Sequence, residues 1–309
     1  MEMHVPAAIL EARQTPQIAS FQHGIGYAFS PQLSARFESE THAIWSHWTP
    51  EPRPCFNPAL LADIRAYYEF LVQTDGSIEL NGEEHSIEYV VLASGTPGVF
   101  NLGGDLELFK QLITCKDRAG LLRYGRACID VLYRNYVAHD LRGVTTISLV
   151  QGECLGGGFE AALSSDVIVA EKSSRFGFPE ILFNMFPGMG AYSFLDRKIG
   201  QKGAEALITS GKIYSAEEMQ ALGVVDVIAE DGCGEAEIGA FIRKRSRSRN
   251  GLAALAATRR RVHAIAFDEL LDVVHIWVEA ALRINLRDLK LMQRLVARQN
   301  GVHDSEQVH

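Results

Sequence analysis

The stretch that decides the fold reads Val144-Thr-Thr-Ile-Ser-Leu-Val150 and continues as Gly152-Glu-Cys-Leu-Gly-Gly-Gly-Phe-Glu160. The run of β-branched and apolar residues predicts a buried strand, and a helix is predicted to begin at Phe159. The glycines between them allow the main chain to approach a ligand where a side chain would block it. The stretch therefore predicts a strand–turn–helix unit of an α/β protein, with a ligand at the turn.

Two glutamates follow turns of this kind. Glu160 ends the glycine run, and Glu180 follows twenty positions later, after Phe176-Gly-Phe-Pro. A further glycine turn, Phe186-Pro-Gly-Met-Gly190, comes shortly afterwards. A carboxylate beside exposed backbone N–H groups can move a proton while those groups hold a developing negative charge. The pattern therefore favours enolate chemistry on an acyl compound, with Glu160 and Glu180 as candidate catalytic residues.

A dinucleotide site is the competing interpretation of the glycine run. Gly156-Gly-Gly-Phe-Glu-Ala161 satisfies the pattern G-x-G-x-x-A after a strand, and Glu180 lies downstream. In such a unit the acidic residue ends the second strand, because it reaches the ribose. Here the second strand is predicted to end at Ala170 or Glu171, well before Glu180. The dinucleotide is the weaker interpretation, and no cofactor is expected.

Composition excludes several classes of function. The 309 residues are 47% hydrophobic, enough for one large core or a core with an appendage. A net charge of -8 gives no support for binding nucleic acid or an anionic membrane. No signal peptide pattern opens the sequence, and no apolar stretch reaches the roughly 18 residues of a membrane-spanning helix. A cytoplasmic protein without nucleic-acid or membrane partners is expected.

Cysteine and histidine usage indicates neither disulfides nor a metal. The five cysteines are widely spaced and form no C-x-x-C pair, so free thiols in a reducing compartment are expected. Cys154, inside the glycine run, is interpreted as a small residue that fills tight space rather than as a nucleophile. The ten histidines show no H-x-x-x-H spacing, so no metal site is predicted.

The order of predicted elements divides the chain into three parts. Strands and helices alternate to about residue 229, and only helices follow. This order predicts a leader at 1–16, an α/β core at 17–229 and a C-terminal helical segment at 230–309, which is expected to serve oligomerisation. Helices are predicted in that segment at 237–249, 252–266 and 268–299. No internal repeat is detectable in the sequence.

Three local features are interpreted as structural. Residues 77–80 and 87–92, joined through Asn81-Gly82, predict a β-hairpin with a type I′ turn. Asp105 is predicted to cap a helix rather than to catalyse. Arginines are dense at 243–249 and 259–261, where a solvated helix face is the first interpretation. The alternative is that these arginines dock an acidic acyl carrier protein or the phosphates of coenzyme A.

Four separated motifs resemble those of the crotonase (enoyl-CoA hydratase/isomerase) superfamily. They are Phe100-Asn-Leu-Gly-Gly-Asp105, Gly152-x-x-x-Gly-Gly-Gly-x-Glu160, Pro179-Glu180 and Pro187-Gly-x-Gly190. The resemblance covers residues 17–230 and implies a crotonase-like ββα spiral core. Longer phrases look like bacterial diffusible signal factor synthases, and they run from Val99 to Leu106, from Gln151 to Ala162 and from Phe186 to Phe194.

The resemblance also implies a role for each motif. It assigns the oxyanion hole to the backbone N–H groups of Leu102 and Gly157, and the two catalytic carboxylates to Glu160 and Glu180. The residues expected to bind the substrate are Gly103, Gly156 and Gly188. Which glutamate acts as acid and which as base stays open.

An activity and partners follow from the same resemblance. Signal factor synthases dehydrate a 3-hydroxyacyl-acyl carrier protein and hydrolyse its thioester, which releases a cis-2-unsaturated fatty acid signal. An acyl carrier protein or coenzyme A is then expected to carry the acyl group. Because no G-x-S-x-G elbow is present, hydrolysis is expected to use a water activated by one of the glutamates. A homotrimer or hexamer and a regulatory sensor kinase are further implied partners.

Two other functions stay open. One is an ordinary enoyl-CoA hydratase or isomerase of fatty-acid metabolism. The other is a non-catalytic binding member of the fold, against which the retention of both carboxylates counts.

Overall fold

The computed structural model describes residues 16–21, 24–292 and 294. The strands are β1 (Gln17–Phe21), β2 (Gly24–Ser30), β3 (Leu33–Glu38), β4 (Ala43–Trp48), β5 (Ser77–Leu80), β6 (Glu83–Ser86), β7 (Tyr89–Ser94), β8 (Val99–Asn101), β9 (Thr145–Val150), β10 (Glu153–Leu155), β11 (Val167–Glu171), β12 (Arg175–Gly177), β13 (Ile213–Ser215) and β14 (Val227–Ala229). The helices are α1 (Pro58–Gln73), α2 (Leu106–Thr114), α3 (Arg118–Tyr136), α4 (Gly157–Leu163), α5 (Ala191–Ser210), α6 (Ala216–Ala221), α7 (Gly234–Arg245), α8 (Arg249–Val262) and α9 (Phe267–Ala281). Almost all of the predicted leader at 1–16 lies outside the described residues.

Two sheets organise the core, as the predicted α/β class requires. The large sheet has the strand order β1-β2-β3-β4-β7-β9-β11-β14. Its first four strands pair antiparallel, and the pairs from β4 to β14 are parallel. The small sheet has the order β13-β12-β10-β8, with β8, β10 and β12 parallel.

A structural repeat connects the two sheets. Each unit gives one strand to the large sheet, one short strand to the small sheet and then a helix: β7–β8–α2, β9–β10–α4 and β11–β12–α5. This repeat exists in the structure although no repeat is detectable in the sequence. The repeat is invisible in the sequence because its short strands have only three residues each, too few to show a pattern. The parallel short strands end side by side, so the loops that follow them meet.

The predicted hairpin exists, but its second arm is wrong. Leu80 pairs with Glu83 across Asn81-Gly82, and both turn residues have positive φ, as a type I′ turn requires. The second arm is β6, whereas residues 89–92 of the apolar run belong to β7 in the centre of the large sheet. An apolar run of this kind gains more from burial on both faces than from an exposed hairpin.

Alternation along β4 separates two hydrophobic clusters. Ile44 and Trp48 face the larger cluster, beneath α1, α3 and α9, while Trp45 faces the smaller cluster beneath α7. The larger cluster contains Phe100, Phe159 and Phe178, whose chain neighbours form the candidate site. The candidate site thus borders the larger of the two clusters.

The C-terminal helical segment is confirmed in type but not in length. The predicted helix at 268–299 breaks after α9, and a new helix starts near residue 286. Asn285 causes the restart, because its Oδ1 accepts the N–H groups of Arg287 (2.8 Å) and Asp288 (3.1 Å). The predicted helix beyond residue 294 lies outside the described residues.

The arginine stretches are not a uniformly solvated face. Arg259 and Arg260 both bind the carboxylate of Asp166, which is 7% exposed. Arg249 pairs with Glu88 at 2.5 Å. The first interpretation is wrong for Arg260, whose side chain is 19% exposed, whereas Arg249 and Arg259 remain 42% and 47% exposed. Their ion pairs attach α8 to the core, since α8 itself buries no residue.

All five cysteines are free thiols, as expected. Across the described ranges, no helix combines the length and the apolar composition needed to cross a bilayer. Within the same ranges, no three side chains of His, Cys, Asp or Glu lie close enough together to hold a metal ion.

Candidate active site

Glu160 is held in the first turn of α4 with its carboxylate buried. Its Oε1 accepts the N–H of Met189 (2.7 Å) and the N–H of Ala191 (3.0 Å), and the residue is only 2% exposed. Burial raises the pKa of Glu160 to about 7, although the two N–H donors oppose this rise. The turn at 187–190 thus orients a carboxylate, a role that sequence reasoning missed although it singled out this turn.

Glu180 lies in a 3₁₀ turn, Pro179–Phe183, that follows β12. Its Oε2 is enclosed and has no hydrogen-bond partner. Burial raises the pKa of Glu180 to about 8, and the negative charge of Glu160 adds to the rise. The stacked rings of Phe159 and Phe178, 4.8 Å apart, pack the segments that carry the two glutamates against each other.

Both glutamates open into one apolar cavity of about 60 Å³. Helices α2 and α3, the 183–189 segment and α9 supply most of its wall. The lining residues include Leu102, Leu106, Phe109, Ile113, Tyr124, Cys128, Leu132, Phe183, Met185, Phe186, Met189, Trp277 and Met292. This volume holds a few water molecules, so a long acyl chain enters only if flexible side chains such as methionines move.

The predicted glycines shape this cavity in different ways. Gly156 has φ 52°, and a Cβ there would lie 2.5 Å from Oε1 of Glu180. Gly188 lines the cavity and faces the ring of Trp277, which a Cβ would meet at 2.4 Å. Gly103 does not line the cavity but packs against the Gly157 N–H. Gly156 and Gly188 therefore border the cavity, and Gly103 packs behind Gly157; their role in substrate binding stays a prediction.

The two N–H groups predicted to form the oxyanion hole, those of Gly157 and Leu102, differ in their hydrogen bonding. Gly157 begins α4, where N–H groups lack an intrahelical acceptor, and it lines the cavity beside the glutamates. Leu102 also lines the cavity, but its N–H donates to the Pro54 carbonyl oxygen at 2.8 Å. The Leu102 N–H is therefore occupied in this conformation, and its role in an oxyanion hole stays a prediction.

A strap made of residues 53–57 creates this contact. Phe56 N–H donates to the Gly103 carbonyl (2.8 Å), and Arg53 binds the Asp105 carboxylate (2.8 Å). Asp105 also caps α2 through the Leu108 N–H, which confirms its predicted structural role. Prolines at positions 50, 52, 54 and 58 are typical of an extended loop, but nothing in the sequence indicates that a carbonyl of this loop would reach the site.

Tyr124 joins the strap to the Leu102 loop from below. Its hydroxyl donates to the Phe56 carbonyl (2.5 Å) and accepts the Asp105 N–H (3.2 Å). The ring also lines the cavity. No sequence motif marked this residue.

Comparison with known proteins identifies the family. A family model described as enoyl-CoA hydratase/isomerase matches residues 77–261, more than half of the chain. The chain belongs to the enoyl-CoA hydratase/isomerase family. Among curated relatives, a mevalonyl-coenzyme A hydratase of Beauveria bassiana is 43% identical over 86 residues, which cover 28% of this chain and 31% of that protein. The chain spans less than two thirds of the length of the curated relatives it matches.

Solved structures of the family share the fold. Human mitochondrial delta3-delta2-enoyl-CoA isomerase superposes with a TM-score of 0.68 at 18% identity, covering 86% of this chain and 97% of that chain. Pseudomonas aeruginosa DspI gives a TM-score of 0.58 at 18% identity, covering 81% of this chain and 92% of that chain. The predicted crotonase-like ββα spiral is confirmed.

Proposed function

We propose that the protein dehydrates a 3-hydroxyacyl thioester and hydrolyses the product to a free cis-2-unsaturated fatty acid. The observation that carries this proposal is the pair Glu160 and Glu180, two buried carboxyls that line one apolar cavity beside the Gly157 N–H. The longer phrases around Leu102, Glu160 and Gly188 support the signal factor synthase specificity within the family. The acyl group arrives on acyl carrier protein or coenzyme A, and no resident cofactor is required.

The raised pKa values suit an elimination. With apparent pKa values of about 7 and 8, the pair shares one proton near neutral pH, which provides one base and one acid. The carboxylate removes the C2 proton, and the electron pair forms the C2–C3 double bond. The C3–O bond breaks, and the hydroxyl leaves as water with the proton of the carboxylic acid. During this step the thioester oxygen gains charge, which Gly157 N–H and a released Leu102 N–H would stabilise.

Hydrolysis by an activated water fits the cavity better than a covalent intermediate. Cys128 supplies the thiol of the cavity lining, and burial raises the pKa of this thiol well above its ordinary value, so it stays protonated. One glutamate instead takes a proton from a water, whose oxygen attacks the thioester carbon. The carbon–sulfur bond then breaks, and the departing sulfur takes up that proton, which releases the acid and the carrier thiol. Detection of an acyl-enzyme by mass spectrometry would contradict this route.

The direct test incubates the purified protein with 3-hydroxyacyl-acyl carrier proteins of several chain lengths and analyses the acids released. A free cis-2-enoic acid supports the proposal, and Glu160→Gln and Glu180→Gln should each reduce its formation by about 10²–10⁴. Release of a 2-enoyl thioester without hydrolysis would instead favour the alternative, an ordinary enoyl-CoA hydratase or isomerase. The family match supports that alternative equally.

Isotope exchange separates the roles of the two glutamates. In deuterated water, a variant that keeps the base exchanges the C2 proton of a 3-hydroxyacyl thioester even when dehydration fails. A variant that lacks the base loses both reactions. Comparing Glu160→Gln with Glu180→Gln therefore assigns acid and base, and equal exchange in both variants would refute the division of labour.

Assembly and location are part of the same proposal. A cytoplasmic homotrimer or hexamer built through residues 230–309, with a sensor kinase as regulatory partner, is what the family resemblance supports. Sedimentation of the full chain and of a chain cut before α7 would test the role of that segment.

A further inference from the structure

We infer that an acidic acyl carrier protein docks in a groove between α1, α2 and α3, beside the catalytic cavity. This inference rests on the proposed function, because it names where the carrier of the thioester binds. We call this surface the α1–α3 groove and define it by Leu61 and Arg65 of α1, Leu108 and Leu112 of α2, and Arg123 and Val131 of α3.

The floor of the α1–α3 groove is apolar and its size suits a helix edge. The cavity volume is about 620 Å³, roughly ten times that of the catalytic cavity. Leu61 and Val131 form the buried floor, and the half-buried Leu108 and Leu112 form one wall. Contiguous apolar surface of this kind, rimmed by polar groups, is typical of a protein interaction site.

The rim of the groove is cationic although the chain is acidic overall. Arg65, Arg123 and Arg126 line it, and Asp130 is the one acidic residue in the described lining. The side chains of Arg65 and Arg123 are 45% and 66% exposed, and each forms one long ion pair, with Glu69 at 3.7 Å and with Asp117 at 3.9 Å, so both remain accessible to a partner. A protein with a net charge of -8 repels an acidic partner over most of its surface. A cationic rim therefore attracts such a partner to this groove in particular.

The groove also lies where a delivered thioester is needed. Tyr124 lines both the groove and the catalytic cavity, and α2 separates the two. The inner face of α2 presents Phe109 to the catalytic cavity, while Leu108 and Leu112 face the groove. A carrier seated here places its prosthetic arm at the strap and the Leu102 loop, next to the glutamates.

The other cationic surface is less suitable. The arginines expected to dock a carrier at 243–249 and 259–261 are partly committed, because Arg249 pairs with Glu88 and Arg259 with Asp166. The cavity beside them contains Glu88, Asp166 and Asp226, which balance its arginines. An acidic partner gains little there.

The test measures carrier binding without turnover. Binding of fluorescent holo-acyl carrier protein, with no acyl group, is followed by anisotropy for the wild-type protein and for Arg65→Glu/Arg123→Glu. We expect the affinity of the double variant for the carrier to be at least tenfold weaker than that of the wild type at low salt. At high salt the difference should shrink, because salt screens exposed charges at the rim of an interface. The matched control is Arg243→Glu/Arg247→Glu, which changes net charge equally on exposed side chains of the other arginine stretch. It should weaken binding less than twofold.

A kinetic comparison gives a second readout. For Arg65→Glu/Arg123→Glu, the ratio of kcat/KM on the carrier-bound substrate to kcat/KM on the matching pantetheine thioester should fall about tenfold. The neutral variant Arg65→Gln/Arg123→Gln should give an intermediate fall.

Three results would overturn the inference. Equal weakening by both reversed variants would mean that only net charge matters. Unchanged affinity in Arg65→Glu/Arg123→Glu would exclude the groove. A changed sedimentation coefficient with unchanged carrier affinity would make the groove an interface between copies of this chain. Failure of the proposed function itself is separate, since it appears as absence of turnover of every thioester by the wild-type protein.

Discussion

Replacing Glu180 by glutamine should stabilise the protein at high pH while it slows catalysis by about 10²–10⁴-fold. The pKa of Glu180 rises from 4.5 to about 8 because the carboxyl is buried and faces Glu160. A group whose pKa is raised by folding favours the native state below its unfolded pKa and loses that contribution as the pH rises towards its folded pKa. The wild-type protein is therefore penalised progressively between about pH 4.5 and pH 8, and Glu180→Gln escapes the penalty.

The size of the effect follows from the same values. Raising the pKa from 4.5 to about 8 corresponds to at most about 5 kcal/mol, and water entering the cavity reduces this figure. Because Oε2 of Glu180 has no hydrogen-bond partner, the amide of glutamine loses little there. We expect Glu180→Gln to be about 2–5 kcal/mol more stable than wild type at about pH 9, and nearly equal at about pH 4.5.

Urea denaturation followed by circular dichroism at both pH values measures this difference directly. Glu40→Gln, a substitution of an exposed glutamate, serves as the control and should behave like wild type at each pH. A stability difference that does not change with pH would refute the claim that burial disfavours the ionised form of Glu180. A Glu180→Gln variant less stable than wild type at about pH 9 would refute it as well.

Three other predictions concern the pH dependence of catalysis, the glycine run and the ion pairs that Asp166 forms with α8. The pH profile of kcat/KM should be bell-shaped with a maximum at about pH 7.5, between the values of Glu160 and Glu180; a single sigmoid would contradict a shared proton. Gly156→Ala should reduce kcat/KM about 100-fold by displacing Glu180, whereas Gly232→Ala, also at positive φ but in open space, should not. Asp166→Asn should destabilise the protein by about 3 kcal/mol in urea, since it leaves two arginines without a carboxylate.

The segments that carry Glu160, Glu180 and Asp105 could be predicted because neighbouring residues in the sequence determine their local structure. A strand, a glycine turn and a helix in succession place Glu160 where a short helix begins, and the structure has that order. The turn predicted just before Glu180 begins later than expected: Phe176 and Gly177 belong to β12, and Glu180 itself lies in the 3₁₀ turn Pro179–Phe183. Asp105 caps α2 through its own side chain, so no distant partner had to be known.

The features that were missed depend on partners far along the chain. The Pro54 carbonyl meets Leu102 almost fifty residues away, and a backbone acceptor leaves no mark on the sequence. Arg259 resembles any exposed helix arginine until Asp166 is seen 93 residues earlier. The run at 87–92 would form a strand either as the second arm of the hairpin or in the centre of the large sheet. Only its pairing partners in the folded sheet decide between the two positions.

In the resting protein the Pro54 oxygen already accepts the bond that Leu102 would give to a thioester. A neutral carbonyl that displaces it exchanges one ordinary hydrogen bond for another and gains little affinity. An enolate oxygen accepts a hydrogen bond about twice as strong, so the exchange becomes favourable only as negative charge develops on that oxygen. In the proposed mechanism, the strap would therefore disfavour tight binding of the ground state and leave the Leu102 N–H to stabilise the transition state.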